Sequence, residues 1–211
     1  MIGQGVLREC LVDPDVVSVQ TVGRSPIDTQ NPKLREIVHT DPLDYTAIEA
    51  NLRGFDACFF CLGVSSAGMS EPDYERVTYE FTMAAAQTLV RLNAAMTFVY
   101  VSGAGTDSSE AGRSMWARVK GKTENALLRL PFKAAYMFRP AGIQPMHGER
   151  SKTAAYRAAY IVTKPLLPLL RRFFPDYIVT TEELGRAMIR VARTGSPKKI
   201  LESSDIRDLG R

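Results

Sequence analysis

Short runs of β-branched and aromatic residues alternate along the chain with longer segments of helical period, a pattern that predicts βαβ units and a mostly parallel sheet. The apolar runs 16–22, 34–39, 56–62, 96–102 and 134–138 read as five strands, and 198–202 as a short addition. Between them lie an amphipathic helix over 3–11, a short helix over 45–52, and a long helix running to about residue 92. The long helix opens at Ser70-Glu71-Pro72-Asp73, with Ser70 as N-cap and early carboxylates suited to the helix dipole. Residues 113–130 predict the next helix. A last one over 182–193 is capped by Thr180 or Thr181 and stopped at Gly195-Ser196-Pro197. The stretch 139–150 reads as irregular chain of the kind that closes over a ligand, followed by a helix broken near Pro165 and Pro168. The tail to Arg211 reads as frayed. The expected fold class is α/β, a doubly wound, mostly parallel, Rossmann-like sheet in one domain over 1–211, with 139–175 as its substrate-side lid.

The start of the chain does not fit the pattern that follows it. A doubly wound sheet places its first strand centrally, and the glycine turn after that strand brings backbone N–H groups to a pyrophosphate at a helix N-terminus. Here Met1-Ile2-Gly3-Gln4-Gly5 runs straight into a helix. The expectation is a domain lacking its first strand, N-terminally truncated, with Gly3 as the last glycine of a G-x-x-G-x-x-G loop.

With 45% apolar residues in 211, the chain can bury the core of one medium domain. Its three cysteines and the lack of a recognisable signal peptide point to a reducing compartment, read as cytoplasmic. Cys58 and Cys61 form a C-x-x-C on a strand, where an offset of three puts them on opposite faces, so they read as small buried hydrophobes. Residues 1–112 carry 7 basic and 15 acidic groups, and residues 113–211 carry 20 and 8. The basic half suits an anionic cofactor; without an aromatic strand face or a recognisable motif it does not read as a nucleic-acid surface. No uncharged apolar run is long enough to span a bilayer, and 160–174 is broken by Lys164, Pro165, Pro168, Arg171 and Arg172. It predicts docking against the domain rather than peripheral membrane contact. No metal-ligand cluster is visible. His39 ends a strand and reads as structural, and His147 as a surface loop residue or the edge of a pocket.

The chemistry concentrates on two residues. Ser102 ends a strand, and Lys120 lies on the helix that follows, an arrangement in which a hydroxyl and an ammonium can meet at one nicotinamide ring. Together with Ile2-Gly3, Val22-Gly23-Arg24-Ser25, Asp41, Cys61-Leu62-Gly63, Val101-Ser102-Gly103-Ala104-Gly105, Val119-Lys120-Gly121 and Phe138-Arg139-Pro140-Ala141-Gly142-Ile143, the chain resembles an atypical short-chain dehydrogenase/reductase. The branch it resembles is that of the Tat-interacting oxidoreductase-like proteins. The resemblance implies an NADP (NADPH) site. Ile2 and Gly3 sit at the glycine turn, and Arg24 with Ser25 at the 2′-phosphate, where arginine matches a phosphate fork; a solvent-exposed turn arginine is the other reading. Asp41 is either the adenine contact or an ordinary Asp-Pro turn. Cys61, Leu62 and Gly63 approach the adenosine. Pro140 and Gly142 lie beneath the nicotinamide or are simple loop residues.

In the family's reductases a serine orients the carbonyl, a lysine binds the ribose, and a tyrosine four residues before the lysine donates the proton. Here Ser102 and Lys120 carry over, but Trp116 stands at the tyrosine position, and an indole N–H is no acid at neutral pH. Tyr100 shares the strand face of Ser102 and is a candidate replacement. The readings left open are a reductase of a small carbonyl substrate that uses another acid or water, and a non-catalytic NADPH-sensing or partner-binding protein, with a homodimer possible in either. The blandest makes Lys120 a solvated helix lysine and Ser102 a plain strand end.

Overall fold

The structure, a computed structural model, describes residues 1–149 and 176–211. The broken helix expected around Pro165 and Pro168, the run 160–174 and most of the expected lid lie outside the described residues.

Hydrophobic alternation on strands that are apolar on both faces builds the centre of the molecule. Strands β3 (Ala57–Phe60), β4 (Thr97–Val101), β5 (Ala134–Arg139) and β8 (Ile200–Glu202) form a four-stranded sheet in that order, every pair parallel. Two further parallel pairs complete the described strands: β1 (Val19–Gly23) with β2 (Leu34–Val38), and β6 (Gly142–Gln144) with β7 (Ile178–Thr180). Because successive strand side chains alternate, β4 sends Phe98 and Tyr100 to one face and Val99 and Val101 to the other. Each set is buried in its own core. A parallel sheet needs both faces covered. Helices α1 (Ile2–Val12), α5 (Thr181–Thr194) and α6 (Ser203–Gly210) supply one cover, while α3 (Phe81–Leu92) and α4 (Met115–Leu128) supply the other. The fold class is thus the α/β, doubly wound, parallel arrangement expected from the sequence. Within the described residues no hydrogen-bonded ladder joins β1 to β3.

Four expectations are corrected. The long helix is not uniform: after α2 (Glu71–Glu75) it widens into a π turn (Arg76–Glu80) before α3. The helix expected over 45–52 is a 3-10 helix, Thr46–Leu52. Residues 142–144, expected to be irregular, form β6, whose partner β7 lies far along the chain and is too short to show alternation. The tail is not frayed: α6 starts in a capping box in which Glu202 and Asp205 exchange side-chain and backbone hydrogen bonds. The cap of α5 is Thr180, in a full box with Glu183.

A candidate dinucleotide site at the strand ends

Strand β4 places Ser102 one residue beyond its carboxyl end, and the ladder continues through it: the Ser102 N–H donates to the Phe138 carbonyl at 2.9 Å. The Ala104 N–H then donates to the Pro140 carbonyl at 3.1 Å, which joins the loop after β4 to the loop after β5. On α4, residues 116, 120 and 124 share one face by their spacing of four. The Lys120 ammonium donates to the Val101 carbonyl at 3.5 Å and lies 5.5 Å from the centre of the Tyr100 ring. Ser102 and Lys120 therefore lie at the same strand end. Burial pushes the Lys120 ammonium down to about 8, against the partial opposition of Glu124.

Beneath them lies a buried polar group that inspection of the sequence missed. Glu124 is fully buried, and its carboxylate accepts the Ser102 hydroxyl at 2.5 Å. The Arg139 Nε donates to both carboxylate oxygens, at 3.0 and 3.2 Å, and a terminal guanidinium nitrogen makes a further close contact. The same guanidinium donates to Ser108 Oγ at 2.6 Å and faces Glu202 at 3.6 Å. Hydrogen bonding to Glu124 raises Arg139 further above its ordinary value. Desolvation raises Glu202, with Arg139 opposing it. The signal in the sequence was the spacing of Glu124 one helical turn from Lys120, with an arginine closing β5.

Trp116 packs over the loop after β4, its ring 3.5 Å from the point where a Cβ on Gly105 would lie, and Gly105 has φ +84°. It supplies packing where the resembling family has an acid. Tyr100 does not replace it: the side chain is buried with Phe60 and Phe98, and desolvation raises its hydroxyl far above the ordinary phenol range. The Gly142 N–H donates to the Tyr177 carbonyl at 2.8 Å, and a Cβ there would lie 3.3 Å from that oxygen, so Gly142 is held by β7.

The remaining candidates follow the carboxyl ends of other strands. The N-terminus of α1 lies beside the end of β3, where a Cβ on Gly3 would sit 3.5 Å from the Cys61 Cβ. Ile2 is part-buried against the core of α5 and α6. Leu62 and Gly63 are exposed beyond β3, with open space around Gly63. Arg24 and Ser25 are exposed beyond β1, and Arg24 makes no ion pair among the described residues. Asp41 accepts the backbone N–H groups of Leu43 and Asp44, at 2.9 and 3.3 Å, and so closes its own turn. Burial holds Cys58 and Cys61 up at about 12, which leaves them as unreactive thiols. His39 Nε2 pairs with the Asp44 carbonyl at 2.7 Å, and the exposed His147 Nε2 with Glu182 at 2.5 Å.

These residues fit a dinucleotide: a helix N-terminus beside a strand end, an open glycine, and a desolvated ammonium that among the described residues donates one hydrogen bond. Among the described residues no helix is long and apolar enough to cross a membrane.

No family model matches the chain. It is 31% identical over 147 residues to the protein FMP52-2, mitochondrial, of Scheffersomyces stipitis, covering 68% of this chain and 61% of that relative. It is 27% identical over 200 residues to the protein FMP52, mitochondrial, of Debaryomyces hansenii, covering 91% and 83%. The third relative, the botcinic acid biosynthesis cluster B protein 16 of Botryotinia fuckeliana, is 32% identical over 126 residues, 55% of this chain and 78% of the relative. The first two names overturn the cytoplasmic expectation, since both relatives are named as mitochondrial proteins. A reduced state for three cysteines does not distinguish the two compartments. Among solved structures, the Bordetella bronchiseptica enzyme WbmF in complex with NAD+ superposes with TM-score 0.65 at 13% identity, over 98% of this chain and 73% of that one. An oxidoreductase of the short-chain dehydrogenase/reductase family from Burkholderia thailandensis gives 0.65 at 14%, over 97% and 88%. These superpositions show a Rossmann-type fold shared with NAD-binding enzymes, and by its identity over most of that relative the chain belongs to the sequence family of the botcinic acid cluster protein.

Proposed function

We propose that this chain is an NADP(H)-binding, oxidoreductase-like protein of the atypical short-chain dehydrogenase/reductase type, which interconverts a small carbonyl compound and its alcohol. The carrying observation is the Lys120 ammonium, desolvated at the Val101 carbonyl beside Ser102 with two protons unused among the described residues. A ribose hydroxyl and a substrate oxygen are a suitable pair of acceptors for them. Ile2 and Gly3, at the start of α1, face the pyrophosphate, and Cys61, Leu62 and Gly63 the adenosine. The exposed Arg24 guanidinium, with Ser25, takes the 2′-phosphate. Pro140 and Gly142 floor the nicotinamide. When bound, the dinucleotide supplies hydride chemistry at its nicotinamide. Because Trp116 and Tyr100 offer no acid, the proton that accompanies hydride reaches the substrate oxygen from water. The names of the two yeast relatives support a mitochondrial setting for this activity.

Fluorescence titration with NADPH and NADH tests the binding. NADPH is expected to bind at least about tenfold tighter, a difference of roughly 1.4 kcal/mol. Arg24→Ala should remove that preference while leaving NADH unchanged, and Lys120→Ala should weaken both. Equal weak binding of both dinucleotides by the wild type would refute the reading. A panel of aldehydes and quinones with NADPH then measures turnover.

A further inference from the structure

Ser102 has one hydroxyl proton to donate. Its two hydrogen-bond partners are the Glu124 carboxylate at 2.5 Å and the Phe138 carbonyl at 3.2 Å, and both only accept. Whichever takes the proton, it stays within the protein, which leaves the Ser102 lone pairs as the groups a ligand would meet. Glu124 cannot turn away, because Arg139 bridges both of its oxygens from β5. The charged groups around this carboxylate are Lys120 from its own helix, Arg139 from β5 and, beyond Arg139, Glu202 from β8. A serine that orients a carbonyl must donate to it, and here the proton is already engaged by Glu124 or Phe138.

We propose that Glu124 is a positioning residue that fixes Ser102 as an acceptor, so that the site selects a ligand hydroxyl, which donates, over the matching carbonyl, which only accepts. An alcohol oxygen satisfies both walls of the site: its lone pairs face the Lys120 ammonium and its proton faces Ser102. An aldehyde oxygen satisfies the lysine alone and meets the serine lone pair to lone pair. The inference rests on the dinucleotide reading above for its location, and on the Ser102–Glu124–Arg139 geometry for its chemistry.

Two measurements test it. Dissociation constants are measured by Trp116 fluorescence for the dead-end pairs, benzyl alcohol on the NADPH complex and benzaldehyde on the NADP+ complex. The alcohol is expected to bind about tenfold tighter, the discrimination of one neutral hydrogen bond to Ser102. In Ser102→Ala the ratio of the two constants should fall about tenfold; comparing ratios between variants cancels the difference in cofactor charge. Glu124→Gln can donate an amide N–H to Ser102 and free the serine proton, so its ratio should move toward the aldehyde. An unchanged ratio in Ser102→Ala overturns the proposal, whether or not Glu124→Gln folds. Separately, the wild type should show a slowly exchanging, downfield hydroxyl proton resonance that vanishes in Ser102→Ala. This signal needs no ligand, so a protein that binds no dinucleotide loses the function proposed above while the resonance still decides the state of Ser102; its absence overturns the inference.

Discussion

Lys120 is held where its charge is least favourable, and that has a measurable sign. Its pKa falls from 10.5 to about 8 on burial, so between those values the unfolded chain binds more protons than the folded one. The penalty is full below about pH 8 and fades as pH rises toward 10.5. Lys120→Met should therefore stabilise the protein at pH 7, by on the order of 2 kcal/mol, and the difference in urea unfolding between the two proteins should vanish by about pH 10.5. A stability difference that does not change between pH 7 and 10.5 would show that the lysine is not desolvated. By the same titration NADPH affinity should drop as pH rises through about 8, and stay flat in Lys120→Ala. Next to it, Gly121 lies so close to the loop after β4 that a Cβ would fall 1.8 Å from the Asp107 carbonyl oxygen. Gly121→Ala must push that loop outward and should destabilise by about 1–3 kcal/mol in the same assay, the range for overpacking a tight contact. At this scale the sequence disclosed Ser102 and Lys120 through their position on a strand end and a helix face. It hid Glu124, because a lone acidic residue on a helix resembles a solvated one until Arg139 is brought against it across the sheet.

Among the elements, α5 shows what local sequence can specify. Its box pairs the Thr180 hydroxyl with the Glu183 N–H at 3.0 Å and the Glu183 carboxylate with the Thr180 N–H at 2.8 Å, on side chains that are buried. Thr180→Ala should lose about 1 kcal/mol, while Thr180→Ser should retain most of it, as read from thermal melts. A loss as large for serine as for alanine would assign the cost to the missing methyl and not to the cap. The cap was legible because a threonine three residues before a glutamate is a short-range signal. By contrast α1 depends on a long-range fit: a Cβ on Gly5 would meet the Thr181 side chain at 2.6 Å, and one on Gly185 would meet Glu9 at 2.7 Å. Strands β6 and β7 were equally invisible, since three residues carry no alternation and their register comes only from each other. The capping box of α6 escaped because its N-cap is Glu202, outside the usual Ser, Thr, Asp and Asn set. The π turn after α2 left no mark on hydrophobic period either.

For the molecule as a whole, the alternation of apolar strands with helices was enough to give a parallel, doubly covered sheet, because burial on both faces forces near-continuous hydrophobic runs such as 97–101. How the strands divide was not legible, since ladder partners depend on which edges meet. The division predicts uneven local stability. In the four-stranded sheet β4 and β5 are flanked on both sides, and the side chains from Phe98 to Val101 are all buried. Among the described residues the β1–β2 pair is two strands wide, and Val22 and Val38 are 41% and 51% exposed. Two strands alone are marginal, and amides open locally where few apolar contacts oppose it. Native-state hydrogen exchange should therefore place the amides of β4 and β5 in the slowest class, opening only with global unfolding. Those of residues 20–22 and 35–38 should exchange faster by two or more orders of magnitude, roughly a 3 kcal/mol difference in opening free energy. If dinucleotide contacts Arg24 and Ser25 beyond β1, saturating NADPH should slow the β1 amides selectively, since a ligand bound only to the closed form stabilises it by mass action. Equal protection of β1 and β4 in the free protein would mean that the pair is covered more firmly than its exposure indicates, and would remove the reason for expecting that selectivity.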